Sequence, residues 1–236
     1  YSNKKLSSRT KLFYKEGKNN FEYRNIAKYG FPIENLSNAE MIQKGIMQEN
    51  SFMINKNSRL NFILWYMDNN RNIPPTMTVD KSIANQKDNN IRILGSYNMI
   101  INSRSYLSYN ISFLNDYIHY VDKGSSTDSK NSSYRVSNNL EYRYEYNRIK
   151  LYNNVGFSSD IAKTDYYNGM KKRDILTFSS SINYSFKNLT ILLSLKDEIN
   201  KRTLFYLSPS FGVDFKFLRY FVLKANIAKN YRRPSL

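Results

Sequence analysis

The chain has 236 residues, with 36 Lys and Arg against 19 Asp and Glu, for a net charge of +17. It has no Cys and one histidine, His119, which excludes a disulfide framework, a cysteine metal site and a multi-histidine metal site. The basic residues are spread along a chain rich in Asn, Ile, Tyr and Ser and form no long cationic run, so the charge reads as a compositional bias, not as a nucleic-acid footprint.

The opening Tyr1-Ser2-Asn3-Lys4-Lys5 has no apolar run behind it and does not read as a secretory signal. Nowhere do roughly 18 apolar residues run together, so no helix spans a membrane. A membrane barrel remains open, because its strands need only about 9–11 residues of alternating apolarity. The abundance of Tyr (21) and Phe (14) at low mean hydropathy suits such a barrel.

Taken in chain order, the pattern predicts about twelve strands. They fall near 10–16, 20–29, 40–55, 59–69, 90–101, 106–120, 133–146, 149–159, 173–186, 189–196, 204–217 and 221–229. Ile91, Ile93, Tyr97, Met99 and Ile101 match Leu107, Tyr109, Ile111 and Phe113. From Tyr134 to Tyr146 the even positions are mostly apolar or aromatic and the odd positions are Arg, Ser, Asn and Glu. A two-residue turn at Asn147-Arg148 would set Tyr146 opposite Ile149, Tyr144 opposite Leu151, Leu140 opposite Val155 and Glu145 opposite Lys150. The same device recurs at Lys187-Asn188, joining the row Leu176, Phe178, Ile182, Tyr184, Phe186 to Leu189, Ile191, Leu193, Leu195. Phe211, Val213, Phe215 and Phe217 then face Phe221, Leu223, Ala225 and Ile227 through a turn at Leu218 to Tyr220.

Polar connections at 70–89, 121–132, 160–172 and 197–203 separate these tight hairpins. Short turn, long loop, short turn, long loop is the rhythm of an outer-membrane barrel, with long loops outside and short turns in the periplasm. Strands of this length exceed those of a typical sandwich, about 5–6 residues. Soluble lipocalin-like barrels close with about eight strands. The expected fold is therefore all-β, an antiparallel transmembrane β-barrel, with residues 1–236 forming part of one larger barrel in the cell outer membrane. Tyr-rich rows should face lipid, and Ser, Asn, Lys and Glu rows a wet lumen.

Candidate ligand-contacting residues lie beside the long loops. His119 follows Tyr117 at a strand end; a plain interfacial polar residue is its simpler reading, and ligand contact the sharper one. Asp160, Asp165, Tyr166 and Tyr167 sit in the 160–172 loop and could grip a bulky ligand, or belong to a plain solvated loop. Lys163, Lys171, Lys172, Arg173, Lys201 and Arg202, in or beside the 160–172 and 197–203 loops, favour an anionic ligand or lipopolysaccharide phosphates, or simply keep the loops soluble. Glu141, Glu145, Arg135 and Arg143 read as cross-strand charge pairs. There is no Gly-rich phosphate loop, nucleophile elbow or triad, so catalysis is not expected, and neither is a cofactor.

The final segment carries Tyr231-Arg232-Arg233-Pro234-Ser235. It resembles the place in TonB-dependent outer-membrane receptors where a strand ends in an aromatic, Arg, any residue, Pro, then Ser or Thr; Tyr231, Arg232, Pro234 and Ser235 fill those positions. Arg71-Asn72-Ile73-Pro74-Pro75-Thr76-Met77-Thr78 with Gln86-Lys87-Asp88 is similar to a loop of cobalamin-receptor-like members. Lys11-Leu12-Phe13-Tyr14 with Asn19-Asn20-Phe21 is similar to an earlier hairpin of the same group. The resemblance implies a 22-stranded barrel closed by an N-terminal plug, importing a scarce small molecule such as cobalamin or an iron–siderophore with energy relayed by TonB. Plug, TonB box and closing strands are not recognisable, so the chain is expected to be a fragment or a reduced relic. A passive, porin-like or purely structural barrel is the alternative.

Overall fold

In the computed structural model, residues 5–165, 169–200, 206–218 and 221–230 are described. The strands are β1 (Leu6–Gly17), β2 (Glu22–Arg24), β3 (Ile33–Asn35), β4 (Met41–Asn55), β5 (Ser58–Ile73), β6 (Ala84–Asn102), β7 (Ser105–Asp122), β8 (Thr127–Tyr146), β9 (Ile149–Thr164), β10 (Met170–Phe186), β11 (Leu189–Asn200), β12 (Ser208–Leu218) and β13 (Phe221–Ala228). Eleven form one antiparallel sheet, ordered β1-β4-β5-β6-β7-β8-β9-β10-β11-β12-β13, and β2 pairs with β3 alone. The fold is an all-β antiparallel barrel wall, left open between β1 and β13.

The predicted registers hold. Tyr146 lies opposite Ile149, Tyr144 opposite Leu151, Leu140 opposite Val155 and Glu145 opposite Lys150. Phe186 meets Leu189, Tyr97 meets Tyr109, and Phe215 meets Leu223. Because side chains alternate across a strand, register alone sorts the residues into two faces. Leu60, Tyr97, Tyr109, Leu140, Val155 and Phe178 form one unbroken apolar row across six strands. One position along, Asn61, Ser96, Asn110, Asn139, Gly156, Thr177 and Glu198 form the polar row behind it. Leu140, Phe178, Ile182, Leu193 and Phe215 each stay 41–49 % exposed, apolar surface with no protein over it.

The polar face holds the clefts. One of about 410 Å³ is lined by Asn61, Ser96, Asn110, Ser112, Ser137 and Asn139. A second, of about 520 Å³, runs past Glu141, Asn154, Ser181, Ser194, Lys196 and Ser210. This face also concentrates charge in pairs: Arg9 and Lys11 on Glu49, Arg71 on Asp88, Arg92 on Asp116, Arg143 on Glu141, Lys150 on Glu145, Lys196 on Glu198 and Lys224 on Asp214. Polar residues that fall on the apolar face find each other instead. The Tyr109 hydroxyl donates to Asn138 Oδ1 at 2.7 Å and the Ser180 hydroxyl to Asn153 Oδ1 at 2.8 Å. Ser8, Thr10, Gln48 and Asn50 form a third such group across β1 and β4. In hydrocarbon, where no water offers a partner, this mutual pairing limits the cost of an exposed amide.

Two expectations need correction. The predicted strand at 20–29 is not part of the wall: β1 pairs directly with β4, and residues 22–35 fold as the separate β2–β3 hairpin. The wall therefore has eleven strands where twelve were counted. The loops are also shorter than predicted. The 70–89 connection shrinks to 74–83, the 121–132 connection to 123–126 and the 160–172 connection to 165–169, because β5 to β10 run on past the alternating pattern. The 20-residue β8 extends roughly 65 Å at about 3.3 Å per residue. Even tilted by about 40° it overshoots an apolar band about 25 Å tall. Above that band both faces meet water, so the strand continues without alternation.

Phe13 lies opposite Gly45 on the polar face. A Cβ at Gly45 would sit 2.4 Å from both the Phe13 ring and the Tyr66 carbonyl, so the aromatic occupies the place of the missing side chain.

The face assignment carries a measurable expectation. Leu140→Arg or Ile182→Arg should destabilise the assembled full-length barrel in vesicles by about 2–4 kcal/mol in urea unfolding, and Ser181→Arg by little. Equal costs on the two faces would contradict it.

Candidate functional site at the wide rim and lumen wall

The links between strands separate the wall's two ends. On one end every link between consecutive strands has two residues: 56–57, 103–104, 147–148, 187–188 and 219–220. On the other end lie the longer links 18–40, 74–83, 123–126, 165–169 and 201–207. This second end is the wide rim, where a soluble ligand would be met first.

The hydrogen-bonded unit formed by links 18–40 and 74–83 of the wide rim is built on asparagines. Asn25, 1 % exposed, follows β2. Its amide donates to Glu34 Oε2 at 2.8 Å and to the Met77 carbonyl at 2.9 Å, and its Oδ1 accepts from the Ala27 N–H at 3.0 Å. Lys28 Nζ bridges Glu34 at 2.8 Å and Asp80 at 2.6 Å. Asn38, in the left-handed region at φ 53°, donates to the carbonyls of Ile73 and Ala84 at 2.8 and 2.9 Å. These bonds tie the β2–β3 hairpin to link 74–83. The Pro74-Pro75 segment was singled out in the sequence; Asn25 and Asn38 were not, since nothing local separates them from the other asparagines of an Asn-rich chain.

Below the rim, the lumen wall centres on Asp160, whose side chain is 6 % exposed. It accepts from the Arg135 guanidinium on β8 and from Arg173 Nη2 on β10 at 3.2 Å, so one carboxylate joins three strands. Arg135 and Arg173 share a lateral row with Met47, Trp65, Arg92 and Leu114. This part of the lumen face is thus cationic and partly apolar, a mixture the strand-by-strand reading did not anticipate.

The predicted ligand residues scatter. His119 falls on the apolar-row register of β7, opposite Lys130, and its Nε2 lies 2.7 Å from Asp128 Oδ1. Asp165 caps the neighbouring strand, its Oδ2 accepting from the Lys130 backbone N–H at 2.6 Å. Lys171 lies on the lumen register of β10, while Lys172 lies on the opposite face, 3.1 Å from Asp174. Lys163 shares the outward register. His119, Asp165, Lys171 and Lys172 do not converge on one pocket. Tyr166, Tyr167, Lys201, Arg202 and the motif residues Tyr231, Arg232, Pro234 and Ser235 lie outside the described residues.

No family model and no curated protein matches the sequence. Solved structures do match its fold. A mutant ferric enterobactin receptor PfeA from Pseudomonas aeruginosa overlays 98 % of the chain with TM-score 0.75 at 10 % identity. The siderophore receptor PirA from Pseudomonas aeruginosa overlays 100 % with TM-score 0.67 at 15 % identity. The outer membrane transporter YddB from Escherichia coli overlays 90 % with TM-score 0.55 at 11 % identity. The chain spans 40 % of the two receptors and 33 % of the transporter. At these identities the likeness is one of fold: the chain forms an antiparallel barrel wall like those of outer-membrane receptors and transporters, with one apolar and one polar face.

The rim hairpin should respond to acid with a defined sign. Hydrogen bonds from Asn25 first, and then from Lys28, hold the Glu34 carboxyl below its ordinary value of 4.5 against the opposing effect of desolvation. A carboxyl depressed on folding contributes stability above its unfolded value and loses it as pH falls through the lower folded value. Hydrogen-exchange protection at Asn25 should therefore persist from pH 7 down to 5 and weaken only below about 4.5. Loss between pH 7 and 5 would contradict this role for Glu34.

Proposed function

We propose that this chain is the barrel-wall section of an energy-coupled outer-membrane receptor that imports a scarce iron–chelate ligand of the siderophore type. The observation that carries the reading is the joint architecture. Eleven strands with a charged, cleft-bearing inner face and one elaborated rim overlay the walls of structures described as siderophore and ferric enterobactin receptors. The Tyr231-Arg232-Arg233-Pro234-Ser235 resemblance supports the same class. The cobalamin expectation rests on the Arg71–Thr78 segment with Gln86-Lys87-Asp88 and on Lys11–Tyr14 with Asn19-Asn20-Phe21, and has no counterpart among the structures named above. An iron chelate is therefore the preferred ligand.

In this reading the cationic belt of Arg92, Arg135 and Arg173 suits an anionic chelate descending the lumen, although Asp116 and Asp160 neutralise much of its charge. Energy would come from TonB through a plug carried elsewhere in the receptor. Lipopolysaccharide would surround the wide rim. The proposal assigns the chain transport and no catalysis.

The test is uptake of a ferric siderophore by cells that depend on the full-length parent protein for iron. Expected is saturable uptake that a protonophore abolishes. Non-saturable permeation of small solutes that survives the protonophore would make the barrel a passive pore and overturn the proposal.

A further inference from the structure

The end of the wall opposite the wide rim repeats one chemical device. Its two-residue links among the described residues are Lys56-Asn57, Ser103-Arg104, Asn147-Arg148 and Lys187-Asn188. Each carries one cation and none carries an acid. Lys and Arg make up 36 of 236 residues, so eight positions drawn at that frequency would hold about one cation. Compositional bias does not account for four, spaced one to a turn.

The backbone fixes these turns in a row. In these four turns the second residue accepts a hydrogen bond from the next hairpin: Asn57 from Ile100 N–H, Arg104 from Glu145, Arg148 from Ser185 and Asn188 from Lys216, at 2.8, 2.8, 2.9 and 2.8 Å. Adjacent turns stand two strand spacings apart, about 10 Å. Lys56, Arg104, Arg148 and Lys187 are exposed, and no carboxylate pairs with any of them among the described residues. Three of these heads are directed by aromatic rings. Arg104 Cζ lies 4.0 Å from the Tyr146 ring centre, Arg148 Cζ 4.4 Å and Lys187 Nζ 5.4 Å from that of Phe186. Tyr146 and Phe186 both belong to the outward, lipid-side row. Arg104, Arg148 and Lys187 therefore sit at the outer side of the rim, directly below the apolar band, and not over the lumen.

We propose that this rim is a binding surface for the phosphate headgroups of anionic glycerophospholipids in the leaflet on the short-turn side. An unpaired cation held over an aromatic at the boundary of the apolar band meets a lipid phosphate at its own depth, while the acyl chains cover Tyr146, Phe186 and the apolar row above them. The row of turns makes the surface continuous along the wall. It rests on the barrel fold alone and holds whether the barrel is a receptor or a passive pore.

The probe is phosphatidylglycerol against phosphatidylcholine, presented in nanodiscs to the full-length parent protein, with retained lipids counted by native mass spectrometry. The unaltered protein should retain phosphatidylglycerol preferentially. In the variant carrying Lys56→Gln, Arg104→Gln, Arg148→Gln and Lys187→Gln the preference should fall at least tenfold, given about fivefold for each surface cation. Lys18→Gln, Lys81→Gln and Lys123→Gln together, on the wide rim, should leave it unchanged. Free inorganic phosphate should not displace the lipid. Heat-modifiable migration confirms assembly, and if the fourfold variant fails to assemble, Arg148→Gln alone should lower the preference severalfold while Arg148→Lys retains it. An unchanged preference in the assembled variants, or an equal loss from the wide-rim substitutions, overturns the proposal.

Discussion

One constraint governs this molecule: inside hydrocarbon every backbone N–H and C=O needs a protein partner. The long antiparallel ladders from β1 to β13 meet it strand by strand, and the two-residue turns extend it to the last carbonyl by bonding to the next hairpin. Among the described residues the outer edges of β1 and β13 have no strand partner, and these are the places where the ladder stops.

Once the ladder is set, alternation divides the chemistry. One face is apolar and its stray amides pair with each other, as Tyr109 with Asn138. The other face gathers acids and bases into pairs, of which Asp160 between Arg135 and Arg173 is the most enclosed. Such pairs are modest contributors to stability, because the arginines keep substantial contact with water. Their consequence is positional: they lock β8, β9 and β10 together below the wide rim while keeping the passage polar. The rim itself is stiffened by Asn25 and Asn38, which convert two long links into one hydrogen-bonded unit.

The sequence was most legible where one face meets lipid. The pairing of Tyr146 with Ile149 and the cross-strand pair of Glu145 with Lys150 could be read from the alternation and the Asn147-Arg148 turn alone. It was least legible where both faces are wet. Thr127–Ser132 and Met170–Lys172 show no alternation, so strand reads there as loop. The 20–29 segment has aromatic residues but no neighbouring apolar row, and it folds back on itself. The candidate ligand residues were chosen as loop side chains, and strand extension then sent Lys171 and Lys172 to opposite faces. Arg135 and Arg173 were each visible in the sequence, but their meeting at Asp160 depends on the register of three strands.

The central claim is that β8 divides lipid from water residue by residue. Because the chain has no Cys, single cysteines can be placed at each position from 134 to 146 of the assembled full-length protein. Each can carry a spin label whose accessibility to oxygen and to a water-soluble nickel chelate is then measured. The account predicts a period of two, with oxygen contact highest at the positions of Val136, Leu140 and Tyr144 and chelate contact highest at those of Ser137, Glu141 and Arg143. Uniform accessibility, or a period near 3.6 residues, would contradict it.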